Sequence, residues 1–217
     1  MDTASIRRQM VDQQIRTWDI PEPTLLDLMR TVPREDFVPG AYHLLAYAET
    51  EIPLGHGERM MYPMVEGKLL QSLLLAPEDE VLEIGTGSGY LTACLALLAQ
   101  SVVSVDIYQD FLNAAEEKLG KQNIVNVALK HHDAAKDGPP AGQFDAIAVT
   151  GSLPAIDERF IAALKPGGRL FIVTGNDPVM DAIVVTKDQA GAWKSSNIFE
   201  TSLARLQNAD EPPGFTW

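Results

Sequence analysis

The segment "VLEIGTGSGY", residues 81–90, decides the fold of this chain. A short apolar run typical of a buried strand leads into a glycine-rich turn, and the apolar run "LTACLALLA" begins at residue 91. Glycines in such a turn permit positive φ and let a ligand approach the backbone, while free amides at a helix start can bind a carboxylate. Taken alone, the motif is weak evidence, and a tight strand-to-helix turn that binds nothing is the alternative. The predicted ligand site comprises Gly85, Thr86, Gly87, Ser88 and Gly89.

Strand-like and helical segments alternate along the chain from this turn onward. The strand-like runs are almost continuous in Val, Ile and Leu, as expected when helices cover both faces of a parallel sheet. After Gly175, "DAIVVTKDQAGAW" and "SNIFETSLARL" are two strand-like runs with a turn between them, which favours an antiparallel edge. The sequence therefore predicts a doubly wound, Rossmann-like α/β sandwich with a mostly parallel sheet and an antiparallel C-terminal edge. The alternating segments are "EVLEIG", "YLTACLALLAQ", "SVVSVDI", "QDFLNAAEEKLGKQN", "VNVALKHHD", "FDAIAVTG", "AIDERFIAALKPGG" and "RLFIVTG".

Amphipathic helices are predicted upstream of the glycine turn, over residues 5–20 and 21–32 and in "MVEGKLLQSLLL". They form a lead-in to one domain, residues 1–207, rather than a domain of their own. The tail, residues 208–217, has too little apolar surface to fold alone. Two hypotheses for it are disorder and docking onto the domain through Phe215 and Trp217.

The composition indicates which classes of partner are expected and in which compartment the protein acts. The chain has 30 acidic and 17 basic residues, a formal charge of -13, so its field repels phosphate backbones and anionic lipid surfaces. Nucleic acid and membranes are thus not expected as partners. Cys94 lies in an apolar run, has no second cysteine to pair with, and is expected to be a core residue. With no secretory signal pattern at the N-terminus, these features favour a cytoplasmic protein.

The glycine spacing distinguishes between cofactor classes. A dinucleotide-binding turn needs a small residue at the last position of its glycine pattern, so that the helix packs close under the pyrophosphate. Tyr90 occupies that position here, which disfavours NAD. The pattern instead matches S-adenosylmethionine, whose amino-acid part can lie against the glycine turn while its adenosine crosses the ends of the neighbouring strands.

Candidate contacts for that cofactor follow the strand ends, where ligands of open α/β sheets bind. Asp106 ends "SVVSVDI" and can accept both ribose hydroxyls, with a solvated strand end as the alternative. Asp133 can accept from the adenine amino group or can cap a turn. Glu83 can face the methionine amine or only stabilise the loop, and Ile107 can pack on the adenine. The predicted site also includes Ala134 and Thr150.

The four histidines do not indicate a metal site. His131 and His132 are adjacent on a strand and so point to opposite faces, and no third ligand lies nearby in the sequence. His43 and His56 are expected to be surface or packing residues. No metal is predicted.

Several motifs together carry a family resemblance. "VLEIGTGSGY", "VSVD", "FDAIAVT" and "LKPGGRL" resemble class I S-adenosylmethionine-dependent methyltransferases. Upstream, "MVDQQIRTWDI", "TVPREDFVPG" and "AYAETEIPLGHGE" resemble the lead-in of protein-L-isoaspartate O-methyltransferases, with the VPR, FVP and P-x-G-x-G elements in the same order. The resemblance covers residues 10–175 and weakens towards the C-terminus. It implies a class I methyltransferase fold and methyl transfer to the α-carboxyl group of L-isoaspartyl residues in damaged proteins.

The resemblance also assigns a role to each of the two parts of the domain. Residues 1–76 hold the helical lead-in and the acceptor loop, and residues 77–207 hold the α/β core that binds S-adenosylmethionine. In the family the acceptor loop reads close to GQTISxP, whose Thr and Ser hydroxyls line the junction of cofactor and acceptor. Here it reads "GERMMYP", with Arg59 in place of Thr and Met61 in place of Ser. Met60 and Met61 are accordingly included in the predicted cofactor site.

The altered loop leaves two readings of the acceptor chemistry open. In one, Arg59 binds the acceptor carboxylate through its guanidinium while Met60 and Met61 line a pliable apolar pocket. In the other, isoaspartyl activity has been lost, and the protein methylates another acceptor or binds the cofactor without turnover. The "VTGSLPAID" segment and the absence of an apolar FVPLV element in "SLARLQNAD" also depart from the family. The leading expectation is methyl transfer to a protein or peptide carboxylate.

Overall fold

The computed structural model describes residues 3–209, so Phe215 and Trp217 lie outside the described residues. Seven helices and nine strands occur within this range, together with short 3-10 turns at Ile15–Trp18, Arg34–Asp36 and Gly40–Leu45. The helices are α1 Thr3–Gln13, α2 Pro23–Thr31, α3 Pro63–Leu73, α4 Tyr90–Leu98, α5 Gln109–Lys121, α6 Ala134–Asp137 and α7 Glu158–Ala162. The strands are β1 Ile52–Gly55, β2 Glu58–Met60, β3 Glu80–Ile84, β4 Ser101–Asp106, β5 Val127–His131, β6 Phe144–Leu153, β7 Leu164–Asn176, β8 Val179–Lys187 and β9 Trp193–Thr201.

The main sheet has seven strands in the order β5-β4-β3-β6-β7-β8-β9. Strands β3 to β7 pair in parallel, whereas β8 pairs antiparallel with both β7 and β9. The predicted α/β architecture, with its antiparallel C-terminal edge, is confirmed. Because the strand order reverses at β3, the carboxyl ends of β3, β4 and β6 border a crevice at which ligands of open α/β sheets bind.

Two apolar clusters pack on opposite faces of the sheet. In β7, Phe171 and Val173 belong to the cluster that also holds the lead-in helices, whereas Leu170 and Ile172 belong to the cluster around α7. This alternation follows from the two-residue side-chain period of a strand. Cys94 is fully buried in the first cluster, as predicted.

The lead-in is attached to the core through a buried ion pair. Arg34 is fully buried, and its Nε and Nη2 donate to the two carboxylate oxygens of Glu66 on α3 at 3.0 and 3.2 Å. Its Nη1 donates to Ala46 O and its Nη2 to Met61 O, both at 2.7 Å. The guanidinium of the VPR element therefore holds three separate segments together, including the backbone of the acceptor loop.

Some predicted boundaries were wrong. The helix expected over residues 5–20 ends at Gln13 and continues only as a 3-10 turn, with Asp19 in the left-handed region at φ 58°. The helical segment expected in "AIDERFIAALKPGG" is reduced to α7, and β7 already begins at Leu164. That strand start pairs with Phe144 of β6, so sheet pairing overrides helix propensity there. The hairpin of β1 and β2 was not predicted.

Candidate functional site

A cavity opens at the carboxyl ends of the parallel strands. It encloses about 760 Å³, counting the part open to solvent. Its wall combines the glycine turn, the ends of β4 and β5, the β1–β2 hairpin and a segment that follows β9. The lining residues are Glu51, Leu54, Glu58, Arg59, Met61, Ile84, Gly85, Gly87, Val105, Asp106, Ile107, Tyr108, Phe111, His132, Asp133, Ala134, Ala135, Thr150, Gly151, Leu203, Ala204, Arg205, Leu206 and Gln207.

The glycine turn brings backbone to the cavity where side chains would block it. Gly85 has φ +96°, and a Cβ built there would stand 2.1 Å from Thr150 Oγ1. Gly87 has φ +50°, and its Cβ would come within 3.2 Å of Leu54 Cδ1. Gly89 has φ +83° and faces α5, where a Cβ would stand 3.0 Å from that of Ala115. The first glycine thus accommodates the Thr150 hydroxyl, the second a close contact with Leu54, and the third allows α4 and α5 to pack closely.

Asp106 is buried at the tip of β4 and is held in a defined orientation. Its Oδ2 accepts from Gly87 N and its Oδ1 from Tyr108 N, both at 2.9 Å. Burial raises the pKa of this carboxyl, and the backbone donors oppose that rise. Each oxygen retains a second lone pair, so the group can still accept from two ligand hydroxyls.

Asp133 caps α6, as one of the two sequence-based alternatives has it, and it also lines the cavity. Its Oδ1 accepts from Lys136 N at 3.0 Å, which caps α6, and its Oδ2 accepts from Asn208 Nδ2 at 2.7 Å. It also lines the cavity, next to Ala134 and on the same side as Ile107. The capping hydrogen bonds therefore position the carboxylate rather than remove it from the cavity.

Glu83 lies behind the glycine turn, fully buried and outside the cavity lining. Its Oε2 accepts from Thr92 at 2.5 Å and from Ser104 at 2.6 Å, and Ser104 shares a further hydrogen bond with Thr86. Its Oε1 is buried without a hydrogen-bond partner among the described residues. Burial raises the pKa of Glu83 to about 8.

This pKa shift predicts a specific pH dependence of stability. Because the folded-state pKa of about 8 exceeds the usual 4.5, the folded state binds more protons than the unfolded state between these values. Stability should therefore fall as the pH rises through this window, by up to about 1.4 kcal/mol per pH unit from this group. Glu83→Gln should flatten the curve, measured as the free energy of unfolding in urea from pH 5 to 8. An unchanged slope in the variant would contradict the assignment.

The β1–β2 hairpin, which leads into the loop that the resemblance assigns to the acceptor, forms one end of the cavity. Met61 is 6% exposed and lines the cavity floor, whereas Met60 and two residues of the turn, Thr86 and Ser88, line a smaller adjoining cavity. Arg59 lies in the walls of both, with 53% of its side chain exposed and its Nε 4.0 Å from Glu51 Oε2.

No residue of β6 replaces the serine hydroxyl that the family motif has at the position of Met61. Thr150 Oγ1 lines the cavity but donates to Ile84 O and Gly85 O, both at 2.9 Å. A thioether cannot donate a hydrogen bond, so Met61 does not replace the function of a serine hydroxyl.

Two parts of the wall were missed by sequence reasoning. Residues 203–207 return across the sheet, with Ser152 N donating to Ala204 O at 2.9 Å and Leu206 N donating to Ser152 O at 3.0 Å. Glu58 accepts from Gln207 Nε2 at 2.9 Å, which joins the hairpin to this segment over the cavity. The leucines of "SLARLQ" were the available signal for this segment, although the run lacks the FVPLV pattern.

Aromatic rings cover the other rim of the cavity. His56, at the turn of the hairpin, stacks on Tyr108 with ring centroids 4.1 Å apart. His56 Nε2 also lies 2.9 Å from Asp110 Oδ2, and Phe111 meets both rings edge-on. These contacts hold the hairpin against the start of α5. The expected packing role of His56 is consistent with this placement.

The histidines at the end of β5 make backbone contacts. His131 Nε2 lies 2.8 Å from Ile107 O, and His132 Nε2 lies 2.7 Å from Gly138 O. Within residues 3–209, no group of three or more His, Cys, Asp or Glu side chains is arranged to hold a metal ion. None of the helices in that range combines the length and apolar character needed to cross a bilayer.

The cavity suits S-adenosylmethionine in two places. Gly85 and Gly87 line it with backbone alone, as an amino-acid moiety lying on the turn requires. The buried carboxylate of Asp106 lines the same cavity and can accept from ligand hydroxyls. Glu83 and Gly89 do not line the cavity, and Glu83 supports the turn from behind through Ser104.

Comparison with known proteins gives a consistent picture. A 36% identical relative, the protein-L-isoaspartate O-methyltransferase of Methanoculleus marisnigri, aligns over 83% of this chain and 82% of its own length. The enzyme of the same name from Koribacter versatilis is 32% identical over 92% of this chain and 90% of its own length.

The fold has a solved counterpart. A crystal structure of a putative protein-L-isoaspartate O-methyltransferase from Plasmodium falciparum, in complex with S-adenosyl-L-homocysteine, superposes with a TM-score of 0.80. It covers 93% of this chain and 98% of the other at 21% identity, and so supports the fold alone. The family model described as Protein-L-isoaspartate(D-aspartate) O-methyltransferase (PCMT) matches residues 5–207, beyond the limit at residue 175 that the sequence motifs suggested. The chain belongs to the protein-L-isoaspartate(D-aspartate) O-methyltransferase family.

Proposed function

We propose that this protein is an S-adenosylmethionine-dependent O-methyltransferase that methylates the α-carboxylate of L-isoaspartyl residues in proteins or peptides. The observation that carries the proposal is the cavity at the sheet edge, where a glycine turn and two oriented strand-tip carboxylates adjoin a hairpin bearing a cation. Membership of the family supplies the reaction class.

We infer that the cofactor is held by residues that surround one continuous cavity. Asp106 accepts the ribose hydroxyls, Asp133 and Ile107 bind the adenine, and the backbone at Gly85 and Gly87 supports the amino-acid part. When bound, S-adenosylmethionine supplies an electrophilic methyl group on a sulfonium centre. The remaining predicted cofactor-site residues support this arrangement from the cavity walls or from behind them: Met60, Met61, Glu83, Thr86, Ser88, Gly89, Ala134 and Thr150.

The protein's own contribution is to position the acceptor. A carboxylate with a pKa near 4 is already ionised at neutral pH, so no general base is required. Holding the attacking oxygen in line is worth up to roughly 7 to 11 kcal/mol of the barrier. Arg59 is the charged donor on the hairpin, and its loose contact with Glu51 at 4.0 Å leaves its guanidinium available to bind a carboxylate.

The second candidate function is cofactor binding without isoaspartyl methylation. Met61 favours it, because this buried thioether lies on the cavity floor where the family motif has a hydroxyl donor. Reverting both positions, Arg59→Thr with Met61→Ser, distinguishes the candidates. Activity gained only in the reverted protein would support the second function.

The test is methyl transfer from labelled S-adenosylmethionine to an isoaspartyl peptide, with the aspartyl peptide of the same sequence as control. Incorporation into the isoaspartyl peptide alone is expected. Tight cofactor binding without methyl transfer to the peptide would contradict the proposed activity.

Arg59→Met should raise the KM for the isoaspartyl peptide by about tenfold with little change in kcat, because a ground-state contact is lost. Steady-state kinetics at saturating cofactor measure this. Arg16→Met, which removes an exposed charge from the lead-in, is the matched control and should behave as wild type. An unchanged KM for Arg59→Met would eliminate Arg59 as an acceptor ligand.

We also infer that the partner is a protein rather than a nucleic acid, and that the protein acts in the cytoplasm. The net charge of -13 supports the first inference, since it disfavours binding to phosphate backbones. The single unpaired Cys94 agrees with a reducing compartment.

A further inference from the structure

A second guanidinium, that of Arg205, lines the cavity, and its hydrogen-bond partners in the described part of the chain are neutral. Its Nη2 donates to Gly175 O at 3.1 Å and to Asn176 Oδ1 at 2.6 Å. Its Nη1 is buried and makes no hydrogen bond within the described residues. Several donors of the group are therefore unused.

The charge of Arg205 is also uncompensated. The other arginines that are buried or half-buried in residues 3–209 each lie within 4.0 Å of a carboxylate, as Arg34 does with Glu66 and Arg169 with Asp79. No carboxylate within residues 3–209 lies that close to the Arg205 guanidinium. In a chain of net charge -13, a partly buried cation with no counter-ion indicates an anion-binding position.

Arg205 lies at the acceptor end of the cavity. It forms an isolated bridge with Ser152, two residues beyond Thr150, so its backbone position is tied to the cavity wall. Two residues further along, Gln207 Nε2 donates to Glu58 Oε1 at 2.9 Å, and Glu58 is the neighbour of Arg59 in β2. Both guanidiniums therefore belong to the same region of the wall.

We propose that Arg205 is a specificity-determining residue that binds the acceptor carboxylate together with Arg59. The inference rests on the proposed function and deepens it by naming the group that selects an anionic acceptor. Two cations at this end compensate for the hydroxyl that is lost at Met61, because charge-assisted hydrogen bonds are roughly twice as strong as neutral ones. The step is binding only, and no bond is made or broken by Arg205.

Calorimetry on protein saturated with S-adenosylhomocysteine tests the proposal. Two peptides are compared, one carrying an isoaspartyl residue and the other the same residue with its α-carboxyl converted to a carboxamide. Wild type should prefer the carboxylate, and Arg205→Met should lose about 10- to 100-fold of that preference, as expected for one hydrogen-bonded charge. Arg205→Lys, which keeps the charge but not the planar fork, should retain an intermediate preference.

The controls separate this role from a structural one. Arg8→Met removes an exposed charge of α1 and should leave the preference unchanged. The affinity for S-adenosylhomocysteine should be the same in wild type and both Arg205 variants, since Leu206 and Gln207 line the cofactor cavity and report a displaced segment. If Arg205→Met does not fold, the carboxylate preference of Arg205→Lys is compared with that of the wild type.

The outcomes are distinguishable. Equal carboxylate preference in wild type and the Arg205 variants would overturn the role of Arg205 and leave the proposed function standing. A wild-type protein that binds S-adenosylhomocysteine but neither peptide would overturn both. A preference lost together with cofactor affinity would assign Arg205 to the structure of the segment and also overturn the proposal.

Discussion

Replacing Asp106 with Asn is expected to weaken the binding of S-adenosylhomocysteine by at least about 100-fold, or roughly 3 kcal/mol. The carboxylate is buried at the tip of β4 and oriented by Gly87 N and Tyr108 N, so it is ready to accept from two hydroxyls. The amide keeps the size of the side chain but replaces one acceptor with a donor. That donor would face either a backbone N–H, which cannot accept from it, or a ligand hydroxyl, which would have to turn from donor to acceptor.

Isothermal titration calorimetry of the purified variant measures the loss. Asp19→Asn is the matched control, because Asp19 is exposed and distant in sequence, and Asn tolerates its left-handed backbone conformation. A thermal unfolding scan with and without ligand shows that the variant is folded. Affinity within a factor of three of wild type would remove Asp106 from the cofactor site.

Replacing Arg34 with Met is expected to lower the free energy of unfolding by about 3 to 5 kcal/mol, the usual cost of leaving one member of a buried ion pair alone. Glu66 would then be a fully buried carboxylate without its partner. Burial already raises the pKa of Glu66, and Arg34 opposes that rise. The carbonyls of Ala46 and Met61 would also lose their donors.

Urea denaturation at pH 7 gives the change in free energy. The double variant Arg34→Met with Glu66→Met should recover part of the loss, because replacing both charges with apolar groups of similar volume removes the buried unpaired charge. Lys121→Met, which loses only an exposed ion pair with Glu117, should change stability by less than about 1 kcal/mol. A single variant as stable as wild type would contradict the anchoring role of Arg34.

The cofactor-binding half of the molecule and the acceptor-binding half differ in how closely they follow the family motifs. The cofactor half combines a glycine turn, oriented carboxylates and a cavity, and the family model matches residues 5–207 across both halves. The acceptor half has the guanidinium of Arg59 and the thioether of Met61 where the family motif has two hydroxyls. Two arginines in the cavity wall give this half a chemistry suited to an anionic acceptor, although the family's serine is absent.

Most of the fold could be predicted from local sequence patterns. Apolar runs of strand length, separated by helical periodicity, are set by neighbouring residues, and so the parallel core and its antiparallel edge could be predicted. The helix expected in "AIDERFIAALKPGG" was wrong because Leu164 pairs with Phe144, a contact across 20 residues that no local pattern records. The glycine turn and Asp106 could be placed because the turn directly follows β3 and Asp106 is the last residue of β4.

The sequence by itself determined the fold class, the cofactor turn and the acids at the strand tips, since these depend on residues adjacent in the chain. Only the tertiary structure decided what closes the cavity: Glu58 and Gln207, 149 residues apart, meet over it. Only the tertiary structure, too, shows Arg205 beside Asn176 with no carboxylate counter-ion among residues 3–209. Contacts of this kind form when strands distant in sequence pair in one sheet. The position of each segment is then set by packing and hydrogen bonding with partners far away in the chain, which no local pattern records.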